Sequence, residues 1–152
     1  MPTIAIPLSL LGLVPLIVFA CGAVGRVPEA AARMLIGLID YAALVLAFTG
    51  GVHWGLALLP GAPRPSLRFC AGVLPMLAAW VGLVLAPLVA PTAALAVLII
   101  AYLATVLTEH RAAPRLLIPS SYMWMRWGFS MVAVVMMAMV LVLRGFGQTI
   151  AF

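Results

Sequence analysis

Apolar residues occur along this chain in long blocks, and polar or helix-breaking residues gather between them. Five blocks stand out, at 4–24, 34–59, 67–89, 92–108 and 119–143. Each has about the 17–25 residues that an α-helix needs to cross the hydrocarbon core of a bilayer. The links at 25–29, 60–66 and 109–115 carry Pro, Gly and charged residues. Only Ala90 and Pro91 separate the third block from the fourth. Taken as one helix, that pair would run for roughly 60 Å, too far for a single crossing. The pattern therefore predicts an all-α, polytopic membrane helix bundle of about five transmembrane helices in a single domain over 1–152. Pro15 and Pro75 fall inside two of the blocks and are expected to kink them.

Composition agrees with the pattern. Hydrophobic residues make up 67% of the 152 residues and charged residues 7%, with a mean hydropathy of +1.32. Soluble domains average about 25% charged residues, so lipid must be the solvent for most of this chain. The net charge of +5 would suggest nucleic acid in a soluble protein, but here topology explains it better. All eight basic residues are arginines, and they sit at block ends. Arg64, Arg68, Arg111, Arg115 and Arg126 fall on one side, and Arg26, Arg33 and Arg144 on the other. The excess marks the first side as cytoplasmic, with the N-terminus inside and the C-terminus outside. Trp54, Tyr122, Trp124 and Trp127 gather at that same interface, as an aromatic belt does. No nucleic-acid partner is implied.

The first block has no Lys or Arg before it, so it reads as a retained span and not a cleaved leader. Cys21 and Cys70 fall near opposite faces, whereas a disulfide needs Cα atoms within about 7 Å. Both read as small apolar residues.

The segment 41–58 is the most informative. Ala43, Ala47, Gly51 and Gly55 recur at four-residue spacing, drifting around the helix by roughly 40° per step. Small residues let two helices approach closely, and in lipid that contact replaces the hydrophobic drive. The stripe serves either a homodimer or partner interface, or packing within the chain's own bundle. His53 lies about 200° from Gly51, facing away from the stripe, with Trp54 beside it. Asp40 is the one acid inside an apolar block. A carboxylate there must be paired, protonated or watered, and Arg33, two turns earlier, is in reach.

At the far end of the fourth block, Glu109, His110 and Arg111 form a polar cluster that reads as a solvated helix end. No cofactor is predicted. Haem held by His53 and His110 is the option the histidines leave, without the ligand spacing a metal site needs. Met123, Met125, Met131, Met136, Met137 and Met139 scatter around the last block and suit packing better than Cu(I). The sequence has no nucleophile–base pair, phosphate loop or Cys-x-x-Cys.

Three stretches together carry a family resemblance: Leu10-Leu11-Gly12-Leu13-Val14-Pro15, the block from Tyr41 through Phe48-Thr49-Gly50-Gly51-Val52-His53-Trp54-Gly55, and Pro119-Ser120-Ser121-Tyr122-Met123-Trp124-Met125-Arg126. The chain resembles the family of unknown-function domain 3429, which also includes the mitochondrial transmembrane protein 69. The resemblance implies a small multi-span protein of the bacterial inner membrane and carries over no active site. It also implies that a positive or donating group is wanted at His53, since members can have Arg there.

Poverty of chemistry and richness of packing surface together lead to one expectation: a non-catalytic subunit. It would pack against a membrane-protein partner or a second copy, as an accessory or assembly factor of an energy-converting complex. The alternative is a small carrier or channel for a quinone-like molecule or protons, with Asp40 and His53 on its path. An enzyme acting on lipid through His53, Glu109 and His110 is the third reading.

Overall fold

The computed structural model describes residues 5–116 and 120–147. Ile4 and Pro119, which open the first and last predicted spans, lie outside the described residues, as does the side chain of Arg115. Five helices follow in order: α1 (Ala5–Ala23), α2 (Pro28–Ala57), α3 (Pro65–Leu88), α4 (Pro91–Leu116) and α5 (Ser120–Gly145). Among the described residues there is no strand. Helices α2 to α5 are each long and apolar enough to cross a membrane, and α1 is apolar over 19 residues.

Proline sets several helix starts. Pro28, Pro65 and Pro91 stand at first-turn positions, where the missing N–H costs nothing and the fixed φ favours the helix. This is why α2 begins six residues earlier than the predicted 34. Between α3 and α4 the chain turns within two residues. Val89 and Ala90 both donate from N–H to the Leu85 carbonyl, at 3.0 and 3.1 Å, and Pro91 opens the next helix. The tight hairpin thus makes two spans and not one. The predicted link 109–115 is helical instead, with α4 running to Leu116.

The helices close into a ring. Each packs on the next in sequence, α1 also packs on α5, and α2 touches α4 across the ring. Leu16, Leu38, Leu46, Leu98, Met137 and Val140 fill the centre. Tyr102 of α4 is wholly buried and donates to the Ala42 carbonyl of α2 at 2.9 Å. Tyr41 ties α2 to α1 through the Gly12 carbonyl at 2.6 Å, and Arg144 ties α5 to the α1 terminus through Ala23 at 2.8 Å. The outside is apolar as well: Leu44, Phe48, Leu74, Trp80 and Ile100 are exposed. A water-soluble fold does not tolerate so much contiguous apolar surface, and a bilayer supplies what covers it.

Helices α2 and α3 approach each other closely. A Cβ added at Gly50 would strike the Gly72 carbonyl, and one at Gly72 would strike the Trp54 ring. Neither residue belongs to the four-residue stripe.

Candidate functional site

At the end of the bundle where α2 and α4 finish and α3 and α5 begin, three ionisable side chains meet in the interior. Arg126 of α5 donates from Nε to Glu109 Oε2 at 2.9 Å and from Nη2 to Oε1 at 3.1 Å. This two-pronged geometry suits a guanidinium and a carboxylate. His53 of α2 places Nε2 3.2 Å from Glu109 Oε1. Arg126, Glu109 and His53 are all buried. An ionised carboxylate only accepts, so the imidazole Nε2 carries the hydrogen. His53 Nδ1 is buried with no hydrogen-bond partner among the described residues.

A second buried cation lies beside them. Arg68, in the first turns of α3, donates from Nη1 to the Leu56 carbonyl at 3.0 Å, near the last turn of α2, where carbonyls lack helical donors. The Trp54 indole donates to the Phe69 carbonyl at 3.2 Å and stands edge-on to the Phe69 ring, with centroids 5.3 Å apart. A cavity of about 700 Å³ opens between α3 and α4, with His53, Arg64, Arg68 and Glu109 at its polar end.

The predicted site residues separate into different environments. His53 and Glu109 come together. His110 does not join them: it is exposed, accepting from the Trp127 indole at 3.3 Å through Nδ1. Arg111 is exposed. Glu109 is therefore not the solvated helix end predicted from sequence, because the helix continues past it and turns it inward. Among the described residues, no three His, Cys, Asp or Glu side chains come close enough together to hold a metal ion. The small stripe divides: Ala43 is in the core, Ala47 is half-buried, and Gly51 and Gly55 are exposed, with nothing within 4 Å of an added Cβ. Asp40 is exposed on the outer side of α2, with no ion pair or hydrogen bond among the described residues; the suggested Arg33 pair is not formed. It lies about 20 Å along the helix from His53, outside the cavity. Cys21 and Cys70 are free thiols, Cys70 on the outer surface. Met123 and Met137 are buried in packing positions.

The profile of the family described as protein of unknown function DUF3429 matches residues 1–142. This chain belongs to the DUF3429 family. No curated protein and no solved structure matches it. Membership brings no assigned activity, so the chemistry of this DUF3429 chain rests on its own geometry.

Sequence reading noted Arg68 for its charge, Arg126 for its charge and its place in the resemblance, and Gly50 for the resemblance alone; it gave none of them a structural role and passed over Gly72 and Tyr102. A usable signal was present for one pair. Glu109 and Arg126 stand about equally far from the link at 117–119, so an antiparallel helix pair sets them level, with opposite charges facing.

Proposed function

We propose that this DUF3429 protein is a non-catalytic membrane subunit that docks on a partner helix through the outer face of α2. The observation that carries this reading is Asp40: a carboxylate on the lipid-facing side, about 10 Å beyond Arg33 along the helix, with no partner among the described residues. Such a group is costly in hydrocarbon until something pairs with it. On the same face, Gly51 and Gly55 leave open space for a second backbone. The occupant that fits is a transmembrane helix with small residues opposite the glycines and an Arg, Lys or amide donor at the level of Asp40. In a parallel pairing a second copy would set Asp40 against Asp40, which favours a different chain. The setting is the bacterial inner membrane, N-terminus inside, with an accessory or assembly role in an energy-converting complex as the leading use.

The carrier reading, for a quinone-like molecule or protons, draws on the cavity beside His53; Asp40 is outside that cavity, which favours the partner reading.

The test is affinity recovery from the native membrane in mild detergent, for the parent, Gly51→Leu and Asp40→Asn. A constant stoichiometric membrane partner is expected with the parent and lost with both variants. Recovery of the same partner set with Gly51→Leu would sink the proposal.

A further inference from the structure

The cavity between α3 and α4 has a polar end and an apolar body, and the partner reading does not use it. Its body follows one face of α3 from Leu67 through Ala71 and Leu74 to Ala78, opposite Ala101 and Ala104 of α4. From Arg64 to Ala78 is about 21 Å along the helix. The groove therefore runs from the headgroup layer to about the midplane of a core roughly 30 Å thick. Thr105 and Thr108 also line it, but their hydroxyls donate to their own helix, at the Ala101 and Ala104 carbonyls. The wall they share thus behaves as apolar. The volume of about 700 Å³ is that of a small-molecule site.

The polar end is cationic. Of the three acids in the chain, Glu29 and Asp40 belong to the first half of α2, which leaves Glu109 alone at this end. Arg64 and Arg68 line the cavity and Arg126 stands behind Glu109. Three guanidiniums against one carboxylate leave a net of two positive charges, with His53 neutral. His53, 6% exposed, holds Glu109 with Nε2, and Nδ1 has no partner among the described residues. Arg64 itself is at φ 50°, ψ 58°, a left-handed conformation that side chains disfavour and that a following proline discourages further. Strain of this kind tends to be kept where a side chain must be held at a site.

We infer that this cavity binds one anionic phospholipid, with its phosphate at Arg64 and Arg68, a headgroup hydroxyl at His53, and one acyl chain laid along the α3–α4 groove. The arginines attract the phosphate, and the imidazole Nδ1, an acceptor while Nε2 carries the hydrogen, takes a hydrogen bond from a headgroup hydroxyl. The apolar walls select against a free anion, and the charge selects against a zwitterionic or neutral amphiphile.

Native mass spectrometry of the delipidated full chain tests this, with dioleoylphosphatidylglycerol and dioleoylphosphatidylcholine titrated separately. One phosphatidylglycerol is expected to be retained about 25-fold more tightly than phosphatidylcholine, since each of the two arginines near an anionic headgroup contributes about fivefold. Arg64→Gly removes one charge and relieves the left-handed strain, so it should fold and lose about fivefold in preference. Ala104→Phe, on the exposed wall of the groove, should abolish the retained lipid with helicity unchanged, while Leu77→Phe on α3 outside the cavity should not. Equal retention of both lipids, or retention indifferent to both Arg64→Gly and Ala104→Phe, would mean boundary lipid only and overturn the inference. So would inorganic phosphate binding as tightly as the lipid, or displacement by a neutral quinone at equal concentration.

Discussion

Removing the Glu109 carboxylate would leave the Arg126 guanidinium buried, with no carboxylate facing it among the described residues. Breaking a buried pair from one side costs about 3–5 kcal/mol, whereas replacing both partners by apolar groups of similar volume is often neutral. Glu109→Gln is therefore expected to lower thermal stability in detergent sharply, and Glu109→Leu combined with Arg126→Met to recover most of it. Equal losses in the single and double variants would show that the triad's charges do not carry the effect. The sequence showed His53 as the histidine inside an apolar block, but not its partner. The α2–α4 contact joins residues 56 apart, and helix periodicity says nothing about which helices meet across a ring. Glu109 was misread because three charged or polar residues in a row look like a link, while burial turned one of them inward and left His110 and Arg111 outside.

The four-residue stripe shows how far periodicity carries at the scale of an element. An α-helix turns 3.6 residues at a time, so a spacing of four advances roughly 40° per step and roughly 120° over three steps. Ala43 therefore faces the core while Gly55 faces outward. The close approach falls on Gly50, one residue aside from the stripe, because Gly72 of the following hairpin arm lies level with it. Neighbouring glycines should then behave oppositely. Gly50→Ala meets backbone that cannot yield and should cost at least the roughly 1–3 kcal/mol of an overpacked contact. Gly51→Ala meets open space and should be neutral or stabilising by up to about 1 kcal/mol. Thermal unfolding of both in the same detergent checks this; similar losses would place the α2–α3 contact elsewhere. Helix number was legible from block length alone, but helix ends were not, because Pro28 and Pro65 start helices inside what composition marks as links.

For the whole molecule, the ring of five helices separates two surfaces with different chemistry. One end is tied by His53, Glu109, Arg126 and Arg68 and opens into a cationic cavity. The outer wall of α2 is uncharged apart from Glu29 and Arg33 near its start and Asp40 within the span. Class, span count and membrane setting followed from the sequence because lipid as solvent constrains composition along the entire chain. The surfaces did not, because they depend on which helices adjoin in space. The proposal to test first is a partner helix on the Asp40–Gly51–Gly55 face. Its most direct test is photo-crosslinking in the native membrane from a probe at residue 55, with a probe at the outward residue 77 of α3 as control. One protein adduct of constant mass is expected from residue 55, absent from residue 77, and lost when Asp40→Asn is added. Adducts to lipid alone from residue 55, or an adduct indifferent to Asp40→Asn, would contradict it.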